Sequence, residues 1–193
     1  MGKASRTKAA RRLQSPATVE HLHQAVIAVA ERFGTQPRCI EGVALLQQTA
    51  AHLGLAFTPR PVGVIVRNDS ADTFVFLGSA GEEHLPQDRR DAIIDQRPPG
   101  QGRAGHLVLT SSTPLLLLDP TLAQTANAGV EMPAIMMRIP SEHPAGGLWQ
   151  ASVGNARVAY LPVDDDTRLL SGYDTVLAEY AHEAQQLARE IRR

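Results

Sequence analysis

The stretch Gly105-His106-Leu107-Val108-Leu109-Thr110-Ser111-Ser112-Thr113-Pro114-Leu115-Leu116-Leu117-Leu118-Asp119 decides the fold. Two apolar runs flank a short polar segment, which is the pattern of a β-hairpin. With Ser112-Thr113 as a two-residue turn, Ser111 faces Pro114 and His106 falls opposite Asp119. Directly opposed residues share a face of the sheet, with Cβ atoms about 5 Å apart. An imidazole and a carboxylate so placed can hydrogen-bond.

Upstream of the hairpin, Pro61–Val66 and Phe74–Leu77 read as strands. Before them lie two helices. The first covers 18–33, where Leu22, Val26, Val29 and Phe33 recur at helical spacing and Gly34 stops the run. The second runs from Cys39 to His52, with Ile40, Val43, Ala44, Leu46, Ala50 and Leu53 inward. Downstream, strands are expected near Ala134–Ile139, Trp149–Val153 and Arg157–Leu161. A last amphipathic helix is expected over 174–192, turning Val176, Leu177, Tyr180, Ala184, Leu187 and Ile191 inward. Helices, a meander of strands and a closing helix define an α+β fold, with N-terminal helices on a mostly antiparallel sheet and a C-terminal helix. The polar segment 78–105, rich in glycine and proline, reads as a long loop with a short helix over 86–95. Its tether to His106 makes it a candidate lid.

Of 193 residues, 43% are hydrophobic, enough for a core that needs no staples. The formal net charge of −1 excludes a polyanion-binding face spread over the whole chain. Residues 1–14 carry Lys3, Arg6, Lys8, Arg11 and Arg12 and no acid. They read as a frayed, soluble tail rather than a weak nucleic-acid contact, because no aromatic residue interleaves the bases for stacking. Residues 15–193 read as one domain. No run of about 18 apolar residues offers a membrane span, and the basic N-terminus lacks the apolar core of a secretory signal. One cysteine rules out a disulfide framework or a cysteine-rich zinc site and fits a reducing, cytoplasmic setting.

That cysteine, Cys39, opens a helix just after Pro37-Arg38. Unpaired N–H groups at a helix start favour a thiolate and offer donors to an oxyanion, and Arg38 adds positive charge. A thiolate nucleophile needs a base, and the base needs an orienting partner. His21, His23, His52 and His182 lie on polar helix faces, and His84 and His143 lie in loops. His106, at the mouth of an apolar strand, is the odd one out. Cys39, His106 and Asp119 are therefore the expected nucleophile, base and orienter. Asp119-Pro120 also has the form of a simple turn opener.

Arg38-Cys39-Ile40-Glu41-Gly42, Gly105-His106-Leu107-Val108-Leu109 and Leu117-Leu118-Asp119-Pro120-Thr121 follow one another in the order helix start, strand start, next strand. Over about residues 30–125 this resembles the transglutaminase-like branch of papain-like cysteine enzymes. His106–Leu109 and Cys39-Ile40-Glu41 also resemble arylamine N-acetyltransferases. The chain departs from the first family at Val108, where a tryptophan is common, and it is shorter than the second. The resemblance implies a papain-like/transglutaminase-like core and thiol-dependent acyl transfer or amide hydrolysis on an amide or thioester substrate, which includes proteins and peptides, without cofactor or metal. An arylamine-type acetyltransferase and an inactive interaction module of the same fold are the alternatives. In that mechanism the Cys39 N–H is one oxyanion donor, Gln36 is a candidate second, and Gln124 lines the pocket. Trp149, the only tryptophan, is either a core anchor or a substrate platform.

Overall fold

The computed structural model describes residues 16–78, 93–95, 105–165 and 167–193. The basic segment 1–14, most of the 78–105 loop with its proposed lid role, and His84 lie outside the described residues. Helices α1 (Pro16–Phe33) and α2 (Cys39–His52) come first. Strands β1 (Thr58–Asn68), β2 (Thr73–Leu77), β3 (Ile93–Asp95), β4 (His106–Ser112), β5 (Leu115–Asp119), β6 (Ile135–Arg138), β7 (Trp149–Val153) and β8 (Ala156–Pro162) follow. A 3-10 helix (Leu122–Ala128) links β5 to β6, and α3 (Tyr173–Glu179) and α4 (Ala181–Ile191) close the chain. The class is α+β, with terminal helices on one mostly antiparallel, nearly closed sheet.

β1 is the hub of that sheet. Its residue Val64 pairs with Leu77 of β2 on one side and with Tyr160 of β8 on the other. β1 begins earlier than its apolar run suggests, at Thr58. Pro59 and Pro61 are tolerated because β8 joins only from Val62, so their missing N–H groups fall where β1 is paired on one flank. Ile93–Asp95 pairs in parallel with β2, so the helix expected over 86–95 does not extend over these three residues.

The hairpin register also differs from the expected one. Ser112 pairs with Leu115 and Leu109 with Leu118, so the turn is Thr113-Pro114. Proline has no N–H to give to a ladder and belongs in the turn rather than opposite Ser111. The shift is two residues, so both side chains stay on the same face: Asp119 comes opposite Val108 and lies diagonal to His106.

The sheet separates two cores. Leu107 and Leu109 of β4 and Leu116 and Leu118 of β5 pack with the helices, including the whole expected α1 stripe of Leu22, Val26, Val29 and Phe33. Val108 and Leu117 point the other way, into a core with Val62, Val64, Trp149, Val158 and Tyr160. Alternation along each strand produces this division. The expected single C-terminal helix is broken at Tyr180, which caps α3 at its end and α4 at its start. The apolar period runs through the break because both pieces face the same core.

Candidate active site

Cys39 is the first residue of α2, preceded by Arg38 at the cap, whose side chain makes no capping bond. The connection from α1 is fixed by a bond from the Asn127 amide to the Thr35 carbonyl, 2.7 Å. Three residues into α2, Gly42 brings the helix hard against the loop after β5. A Cβ built there would meet Thr121 Cγ2 at 2.4 Å. Only a glycine lets the start of the helix come this close to Asp119-Pro120-Thr121.

His106 opens β4 and is buried, at 1% exposure, as is Asp119 at 0%. Gly105 makes the turn into the strand possible. Its φ is 113°, and a Cβ would strike the Val62 carbonyl oxygen at 2.6 Å. The His106 Nε2–H donates to Asp119 Oδ1 at 2.9 Å. The same oxygen accepts the Thr121 N–H at 3.1 Å, so Asp119 is a turn opener as well as a histidine partner. Its other oxygen, Oδ2, accepts the Tyr160 hydroxyl at 3.1 Å.

The second ring nitrogen of His106, Nδ1, lies 3.0 Å from the Gln124 amide nitrogen, which donates to it when the ring is neutral. Cys39 also comes within hydrogen-bonding reach of the ring. Burial by itself lowers the His106 pKa. The charge and hydrogen bond of Asp119, then Cys39, outweigh it and push the pKa up to about 10. In the charged ring both nitrogens donate, so Nδ1 then needs Cys39 or the Gln124 amide oxygen as its acceptor. Burial first and the Asp119 charge second drive the Tyr160 pKa well up, so its hydroxyl keeps the proton it donates.

The structure thus brings Cys39, His106, Asp119 and Gln124 into one cluster. Gln36 is not part of the cluster's described bonds: it is exposed in the turn between α1 and α2, where its carbonyl accepts the Arg38 N–H at 2.8 Å. Trp149 is 2% exposed in the second core, paired across the ladder with Tyr160. Its Nε1–H donates to the Ser141 carbonyl at 2.9 Å, and the Arg60 guanidinium sits 4.9 Å over its ring. The indole is a core anchor, and the substrate-platform reading finds no support. Tyr160 and Thr121 escaped sequence reading. A signal for Tyr160 exists: Ala156, Val158 and Tyr160 alternate on a buried face, where a phenol needs a partner.

Among the described residues, no group of His, Cys, Asp and Glu could hold a metal ion, and no helix is long and apolar enough to cross a membrane. No family model matches the chain, and no match is found among curated proteins or solved structures.

Proposed function

We propose that this chain is a thiol-dependent acyl-transfer or amide-hydrolysing enzyme of transglutaminase-like, papain-like type, with Cys39 as nucleophile, His106 as base and Asp119 as orienter. One observation carries the reading: a single buried imidazole is bonded through Nε2 to Asp119 and reaches the only cysteine, which is the first residue of a helix. The Cys39 sulfur, its proton already held by the charged His106 ring, attacks the acyl carbon of an amide or thioester as the thiolate. The tetrahedral oxyanion sits beside the N–H groups at the start of α2. Its collapse breaks the bond to the leaving amine or thiol, which takes the proton from His106. Water or an amine then attacks the thioester formed on Cys39. A free thiol nucleophile suits a reducing compartment such as the cytoplasm.

The test is covalent capture. Incubated with an acyl thioester such as acetyl-CoA, or with an activated glutamine-type amide, the chain should gain one acyl group. Peptide mass spectrometry should place it on Cys39, and the His106→Gln variant should not acquire it. Acetyl-CoA labelling alone would favour the acetyltransferase variety of the reading. A wild-type chain that stays unmodified by both reagents would leave the inactive interaction module.

A further inference from the structure

Among the described residues, β6 pairs only with β5 and β7 only with β8. Yet Ala134–Met137 and Ala151–Val153 line one groove of about 670 Å³, walled on its helix side by Val26, Ile27 and Ala30 of α1. Register fixes where the main chain of each edge points. The Ile139 N–H donates to the Leu115 carbonyl at 3.2 Å, so by alternation Met136 turns its N–H and C=O away from β5. Val153 pairs with Ala156 across a two-residue turn, which makes them a hydrogen-bonded pair, so Ser152 turns its N–H and C=O away from β8. Two free strand edges therefore open on one apolar groove. Five antiparallel pairings separate β6 from β7, so the two edges run in opposite directions. An aliphatic ligand would fill the groove and leave those main-chain groups dry and unpaired, which is costly. An extended peptide fills it and pairs them, as in strand addition. The rim points the same way. Ile27 lines the groove and is 41% exposed, although it is a large apolar side chain. Glu31, one turn further along α1, also lines the groove and has no ion-pair partner among the described residues.

We propose that this groove takes an extended peptide segment of a partner protein as one added strand between β6 and β7. The strand runs antiparallel to one edge and parallel to the other. Its side chains alternate between Val26 and Ile27 on one face and Met137 and Ala151 on the other, so the segment is apolar on both faces. A Lys or Arg of the segment pairs with Glu31. None of this rests on chemistry at Cys39.

The probe is a phage-displayed library of random linear peptides panned on the full chain. Enriched sequences should be apolar runs with a basic residue, and the most enriched one, synthesised with a fluorophore, should bind one to one. Ser152→Pro removes a donor from the free edge and spares the β7–β8 ladder, because that N–H faces away from β8. Ile27→Lys alters the exposed rim of α1. Each variant should weaken binding about tenfold, with the melting temperature close to that of wild type. N-methylation of the central peptide amides should weaken it by a similar factor, which separates main-chain pairing from greasy contact alone. Failure to enrich any peptide, or an affinity unchanged in both variants or after N-methylation, would overturn the proposal. A concentration-dependent dimer that both variants dissolve would give the groove to a second copy and overturn it. Displacement of the bound peptide by a synthetic peptide of residues 1–14 would give the groove to the chain itself and overturn it as well.

Discussion

His106 is buried among groups that pull its proton in opposite directions. Burial alone would leave it neutral, yet Asp119 raises its pKa to about 10. Two results follow from removing that charge while keeping the shape. In Asp119→Asn only Cys39 is left to oppose the desolvation, so a nitrogen-15 NMR titration of the ring should place its pKa well below 10. The same variant should alkylate Cys39 more slowly, since a neutral ring no longer draws the thiol proton. A ring that still titrates near 10 would mean that something other than Asp119 holds the charge. The carboxylate is itself held at both ends, by Thr121 and His106 on Oδ1 and by Tyr160 on Oδ2, which fixes the plane in which the ring must lie.

At the scale of elements, the site is the seam between the start of α2 and the β4–β5 hairpin, and Gly42 sets the width of the seam. Gly42→Ala gains about 1 kcal/mol of helix propensity but drives a methyl to within 2.4 Å of Thr121 Cγ2. Overpacking of this kind costs about 1–3 kcal/mol, so the net effect should be a loss of up to about 2 kcal/mol in urea unfolding and slower Cys39 alkylation. Thr121→Ser removes Cγ2 and keeps the hydroxyl, so Gly42→Ala in that background should be neutral or stabilising; additive effects would refute the contact. The seam also shows why the His106–Asp119 pair was legible in the sequence. The hairpin register moved by two residues, but alternation has a period of two, so the pair kept its face. What was not legible came from afar or from local geometry. Tyr160 reaches Asp119 only because β8 pairs with β1, a contact between distant strands. The break at Tyr180 leaves no mark in a period that both helices share.

For the whole molecule, the sheet shields a buried charge pair between two apolar cores, and stability inherits its pH dependence. The folded His106 pKa lies above its unfolded value of about 6.5. The stabilisation it brings is therefore fully present below about pH 6.5 and is lost as pH rises through about 10. The melting temperature should fall over that window, and His106→Gln should flatten this part of the curve; an unchanged slope in the variant would assign the fall to other groups. The helices, the two faces of each strand and the α+β class were legible because burial imposes periods of 3.6 and 2 along the chain. The parallel placement of β3 was not, since three residues carry no period. The central claim, that Cys39 is activated by His106, meets its most direct measurement in the rate of iodoacetamide alkylation at neutral pH. The chain has one cysteine, so the rate reports one site. Wild type should label at least about tenfold faster than His106→Gln, the size of effect a paired base gives a thiol; equal rates in two folded proteins would contradict the account.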